Sequence, residues 1–336
     1  MDSKWRRRGP VIALLLLAPV ISEVLYGATR LSYIFVLIPE IGAWGCGALM
    51  IRYAARRWRL DWRGMLLLAL ALAIAEEWVI QQTSIAPLLG VAKAEYGRAW
   101  GVNWVYFIWA LGYEAVWVVL VPVQLVDLLF PARRDDAWLR TSGFVRAAVF
   151  FSIASFIAWF SWTKRARTEV YHMPPYDPPF LYIGLAVAVI AGLILAAYSL
   201  RGRFTSVARS APAAMNVGLV VGALGTPWGA LVLLAYGSAP RIPYGYVVAA
   251  SLAWTLFSFW PLRQWSSSKG WQDAHRFAAV CGSIVACMLS GFVVFAVGGA
   301  SRIDWVGKIV LNLAAVAWMA RLGLANPKLV RANPKP

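Results

Sequence analysis

The chain has 336 residues, 61% of them apolar and 19 of them tryptophan, with a mean hydropathy of +0.64 and a formal net charge of +17. Apolar runs of about 20 residues recur throughout, which leaves no room for a soluble domain and predicts an all-α, polytopic transmembrane helical bundle. The basic excess does not indicate a nucleic-acid partner, because Arg and Lys sit in short loops between apolar spans and so set topology.

The first predicted helix runs from Pro10 to Gly27 behind a basic leader. Tyr26 spoils a signal-cleavage site, so an uncleaved helix is expected. Helix two, Leu31 to Ala55, returns antiparallel and ends at Arg52, Arg56, Arg57, Arg59 and Arg63. Helix three is expected over Gly64 to Ser84. The glycine-containing connection Ala94 to Gly101 follows, then helix four from Val102 to Phe130, closed by Pro131 and Asp136. Helix five spans Gly143 to Trp162, and the proline-rich stretch Met173 to Pro179 favours extended backbone. Five further runs lie at Phe180 to Leu200, Ala211 to Gly237, Tyr244 to Leu262, Phe277 to Gly299 and Ile303 to Leu324. The total is about ten. With both termini cytoplasmic, the inner segments carry 23 Lys and Arg and the outer ones nine, an asymmetry that fits the positive-inside rule.

Acids divide the single membrane domain into an acidic half, residues 1–130, and an apolar half, residues 131–336. Glu23, Glu40, Glu76, Glu77 and Glu114 all interrupt apolar runs of helices one to four. A carboxylate near the bilayer centre costs about 3 kcal/mol, so an intramembrane acid points to function. At 1.5 Å per residue, Glu40, Glu77 and Glu114 lie about 13, 10 and 17 Å from the outer ends, and Glu23 about 6 Å. Consecutive helices can bring these groups together. Within helix three, Glu77, Gln81 and Ser84 recur at i, i+4 and i+7 and predict one polar stripe. Glu76 is turned away by about 100 degrees and is expected to bond a neighbouring helix. Asn103, Phe107, Ala110, Glu114 and Trp117 give helix four a similar stripe, with Tyr113 beside it. Carboxylates gathered in a low-dielectric site cannot all ionise, which suits a general base or a proton carrier.

Other polar residues read as structural. Cys46, Cys281 and Cys287 lie in or beside apolar runs without CxxC spacing, and the chain has two histidines, so no metal site or cofactor is evident. His172 is expected to be solvated or to cap a turn, Glu95 and Arg98 to pair in a loop, and Asp127 to be solvated. Asn216 and Asn312 should hydrogen-bond between helices. Gly218, Gly222 and Gly225, like Gly282, Ala286 and Ser290, read as close helix packing.

Adjacent glutamates in a membrane helix, with a polar position about 35 residues on, resemble the CAAX-protease and bacteriocin-processing family of intramembrane glutamate proteases. That family reads EExxxR, FxxxH, then HxxxN or HxxxD. Glu76 and Glu77 match the opening pair. Gln81 stands in place of the Arg, Glu114 in place of the second motif's His, Ala110 in place of its Phe, and Asn216 alone represents the third motif. The stretch also resembles uncharacterised bacterial membrane proteins with a Glu-Glu helix followed by Tyr96-Gly97-Arg98 and Gly101-Val102-Asn103-Trp104. The protease resemblance implies a membrane hydrolase in which Glu77 activates water and Glu76, Gln81 and Glu114 tune it, acting on a membrane-borne peptide or lipid-linked substrate. The alternative is a proton- or cation-coupled transporter in which Glu40, Glu77 and Glu114 exchange protons or bind a cationic solute, with Glu23, Ser84, Asn103 and Tyr113 as further substrate- or proton-binding candidates. A non-catalytic scaffold is the third reading.

Overall fold

A computed structural model describes residues 3–89, 95–203, 207–236, 241–297 and 299–330. Ala94 and Gly237, which bound the outer connection and the expected seventh helix, lie outside the described residues. Nine described helices are long and apolar enough to cross a membrane: α1 (Arg8–Leu25), α2 (Leu31–Arg57), α4 (Trp104–Leu129), α5 (Thr141–Val170), α6 (Phe180–Ser199), α7 (Ala214–Ala235), α8 (Tyr244–Ser266), α9 (Asp273–Ala296) and α10 (Arg302–Ala325). The tenth, α3, covers residues 62–80 as Trp62–Ala75 and its continuation Glu76–Ile80. Arg63, Glu76 and Glu77 lower its hydropathy. The protein is an all-α, multi-pass membrane bundle. The strands described are short: β1 (Arg98–Ala99) pairs antiparallel with β2 (Val102–Asn103), and β3 (Val207–Ser210) pairs parallel with β4 (Ser268–Lys269).

Burial shows which helices face lipid. Over its most apolar stretch α4 is 72% buried and α8 only 6%, so α4 is the central post against which α1, α3, α7 and α9 pack. Phe150, Phe156, Phe180, Leu195, Leu256 and Leu313 point outward from α5, α6, α8 and α10, as side chains meeting acyl chains would. Small residues bring α7 and α9 together. A Cβ on Gly282 would fall 2.1 Å from the Gly218 carbonyl oxygen, and one on Gly225 would fall 2.9 Å from Ala286 Cβ, confirming the close approach read from those glycines.

Two buried cations tie the bundle. Arg52 of α2, 1% exposed, donates to Asp127 of α4 from Nε (3.0 Å) and Nη2 (2.8 Å) and to the carbonyls of Arg134 (2.7 Å) and Asp136 (2.9 Å). Asp127 is therefore a buried ion-pair partner and not the solvated residue expected from its place near a helix end. Lys308 of α10 donates to the carbonyls of Leu25 and Tyr26 at the end of α1, where backbone acceptors have no helical partner. Asn312 joins the same group, giving a hydrogen bond to Leu25 O and accepting one from Lys308. Asn216, by contrast, is exposed on α7, so the expected interhelical role is corrected there.

Candidate functional site

Each helix that carries one of the five membrane-depth glutamates changes pitch at or beside it. π-helical turns cover Val20–Leu25, Ile41–Gly45, Glu76–Ile80 and Glu114–Leu120. Glu23, Glu76, Glu77 and Glu114 lie inside these turns, and Glu40 immediately precedes one. Proline accounts for three of them. Pro19, Pro39 and Pro122 stand within two residues of a π turn, and a residue without an N–H breaks the regular ladder. Such turns recur at functional sites because they displace side chains and free backbone groups. A fifth π segment, Phe160–Val170, extends α5 beyond its expected end at Trp162.

The four modified helices bring the acids together. The Glu77 and Glu114 carboxyls come within hydrogen-bonding reach of each other. Glu76 is close enough to repel both Glu77 and Glu23, and Glu114 close enough to repel Glu76 and Glu23. Glu40 completes the group through Thr29, whose hydroxyl lies between Glu40 Oε1 and Glu23 Oε2. Tyr113 donates to Glu23 Oε1 (3.0 Å) and approaches the Ser22 carbonyl (2.6 Å). Its ring stacks on Trp109 and packs edge-on against Tyr26 and Trp117. Glu23, Glu76, Glu77 and Glu114 are all buried, at 7% exposure or less.

Charge balance inside the cluster is one-sided. Among the described residues, none of the ion pairs involves any of the five glutamates. Both carboxyl oxygens of Glu76 and one each of Glu40 and Glu114 are buried without a hydrogen-bond partner among the described residues. Ionised carboxylates only accept hydrogen bonds, so a bond between Glu77 and Glu114 would require a proton on one of the two. No group of three or more His, Cys, Asp or Glu among the described residues is arranged to hold a metal ion.

The predicted stripes of α3 and α4 need correction. Regular helix in α3 gives way to the π turn after Ala75, the helix ends at Ile80, and Gln82 adopts left-handed backbone (φ +60°). Ser84 still reaches Glu77, donating from its backbone N (2.9 Å) and from its hydroxyl. It does so because the chain folds back after the helix end, not because it lies one turn further along. Gln81 departs from the cluster and lines a small cavity with Thr83, Trp162 and Arg167. Glu76, expected to bond a neighbouring helix, makes no side-chain hydrogen bond among the described residues and lies near Glu23, Glu77 and Glu114 instead. The wide π turn, in which Gln81 N bonds Glu76 O (2.9 Å), reduces the angle between Glu76 and Glu77. Asn103 is the N-cap of α4, accepting from Tyr106 N (3.0 Å) and donating to Glu95 Oε2 (3.0 Å). It belongs to the outer connection, not to the cluster.

That connection roofs the acids. Glu95 pairs with Arg98 at 2.8 Å and accepts from Leu88 N. Arg98 also donates to the carbonyls of Ile85, Ala86 and Gly101, while Asn103 N bonds Ser84 O (2.8 Å). The chain beyond α3 is thus fastened to the start of α4 directly above Glu77. Sequence spacing gave no sign of Thr29 as the bridge between Glu23 and Glu40. Its place in a short turn between two acid-bearing helices was the available signal. His172 is exposed in left-handed backbone, and all three cysteines are free.

The chain matches no known family model, no curated protein and no solved structure.

Proposed function

We propose that the chain is a proton-coupled small-molecule transporter of a bacterial cytoplasmic membrane, with both termini in the cytoplasm and the Glu77–Glu114 pair as its proton-binding centre. The meeting of the Glu77 and Glu114 carboxyls carries this reading, since a proton shared there would sit among four buried acids that take part in none of the described ion pairs. Release of that proton would leave two carboxylates in contact. A rearrangement of the π turns in α3 and α4 relieves the repulsion, and coupling follows from that link between charge and helix pitch. The asymmetry of 23 inner against nine outer basic residues supports the orientation.

Hydrolysis by Glu77 is the less supported reading. It needs a water at the carboxylate and a donor for the developing oxyanion. The hydrogen bonds described for Glu77 run to Ser84 and Glu114, and Gln81 and Asn216 stand away from it.

Charge displacement after a rapid pH jump, recorded on a solid-supported membrane carrying the protein, tests the proposal without requiring the solute. Wild-type protein should give a transient current that Glu77→Gln and Glu114→Gln abolish. A wild-type protein without such a current, or variants that keep it, would overturn the proposal.

A further inference from the structure

A cavity of about 1070 Å³ lies among α2, α3, α4, α7, α8 and α9. Gly112, Val116, Trp117 and Leu120 belong to its wall on α4, and Glu114 is not among the lining residues. It follows α4 from Asp127 to Gly112, about 22 Å at 1.5 Å per residue. That is most of a hydrocarbon core about 30 Å thick.

Its two ends differ in chemistry. The deep end is lined by Gly112, Val116, Val221, Leu224 and Trp228, while the mouth carries Arg56, Arg59, Arg134, Arg276 and three carboxylates, Asp61, Asp127 and Asp135. Positive charge is in excess at the mouth. Asp127 is shared by Arg52 and Arg56, and Asp273 by Arg134 (2.6 Å) and Arg276 (3.3 Å). Two carboxylates therefore serve four guanidiniums. Arg59 adds another, held exposed at the rim in left-handed backbone (φ +51°), and only the exposed Asp135 remains to offset it. Asp61, also at the rim, is taken by Arg63 and by the Gly64 N–H. The Nε atoms of Arg56 and Arg134 are buried and have no hydrogen-bond partner among the described residues.

We propose that this cavity binds an amphiphile with a terminal phosphate. The headgroup sits among Arg56, Arg134 and Arg276, and the tail runs along α4 towards Gly112. Planar guanidinium forks suit phosphate oxygens better than a point charge does. A phosphate monoester, carrying nearly two negative charges at neutral pH, matches the charge excess, and an apolar channel of this length would be wasted on a free anion. The inference uses the guanidiniums and the apolar depth, not the glutamates, so it stands or falls apart from the proton-coupled reading.

Hexadecyl phosphate carrying a nitroxide on its chain tests this. It is titrated into the full-length protein in phosphatidylcholine nanodiscs while tryptophan fluorescence is followed, since Trp117 and Trp228 line the channel. Saturable quenching is expected, weakened about tenfold by Arg134→Gln and by Arg276→Gln, the scale of a lost charge-assisted bond. Val221→Phe should abolish it with every charge in place. Arg59→Gln, at an exposed position outside the described ion pairs, should weaken it several-fold and keeps the test open should the paired arginines prove necessary for folding. Unlabelled hexadecylphosphocholine or inorganic phosphate should compete at least about tenfold less well than hexadecyl phosphate. Equal competition by the zwitterion would overturn the headgroup assignment. Equal competition by inorganic phosphate, or unchanged quenching in a folded Val221→Phe protein, would overturn the tail assignment.

Discussion

Replacing Asp127 by Asn tests the polar anchor between α2 and α4. Asp127 accepts two hydrogen bonds from Arg52 and one from Arg56 while itself 1% exposed. The amide preserves shape and one acceptor, but it removes the charge that balances two guanidiniums and turns an NH₂ group towards one of them. Arg52 cannot move out to water, because it is held by the Arg134 and Asp136 carbonyls and its guanidinium carbon lies 3.2 Å from the centre of the Trp138 ring. Charge-assisted bonds contribute about 1.5–3 kcal/mol each, and breaking one partner of a buried pair costs about 3–5 kcal/mol. At about 2 °C per kcal/mol for a chain of this size, the apparent Tm should fall by roughly 6–10 °C. Intrinsic tryptophan fluorescence during a thermal ramp in detergent reads this directly. The double variant Arg52→Met with Asp127→Leu should recover at least half of the loss, because it removes both buried charges together. A fall of less than about 1 °C in Asp127→Asn would refute the assignment of Asp127 as the charge that holds Arg52 in place.

Four further substitutions test the packing. Gly282→Ala should lower stability by about 1–3 kcal/mol, because its Cβ would overlap the Gly218 carbonyl at 2.1 Å; Gly192→Ala in α6, with nothing within 4 Å, should raise it by about 0.5–1 kcal/mol. Both are read from the same thermal ramp. Lys308→Met should cost about 2–3 kcal/mol by removing the donor to the Leu25 and Tyr26 carbonyls, with faster hydrogen exchange confined to the end of α1. Ser84→Ala should cost only about 1 kcal/mol, since the backbone N–H continues to hold Glu77 after the hydroxyl is gone.

Hydropathy gave the ten helices to within a few residues at most ends, because apolar length is a property of the local sequence. The exceptions share a cause. Helix α5 runs on to Val170 through a polar π segment, and α3 stops at Ile80 ahead of the Ser84 that a regular 3.6-residue pitch would have placed on one stripe with Glu77. A change of pitch leaves little mark in a pattern read at fixed period. Proline at positions 19, 39 and 122 was the available hint. Convergence of Glu77 with Glu114 was legible because acids at similar depth on consecutive helices have few other places to go. Thr29 and the buried contacts of Glu76 were not, since they depend on helix rotation. Arg52 and Asp127 were misread for a different reason. A basic residue near a helix end counts as a topology signal, and only the folded chain shows that Arg52 turns inward. The channel beside α4 draws its walls from six helices, α4 included, and no single stretch of sequence announces it.

The central claim is that Glu77 and Glu114 share a proton inside the bundle, and infrared difference spectroscopy at neutral pH tests it most directly. The account predicts a carboxylic-acid carbonyl band in the wild-type protein, one component of which disappears in both Glu77→Gln and Glu114→Gln while the helical amide bands stay unchanged. A band that both variants leave intact would contradict the account, because the two carboxyls would then hold no proton between them.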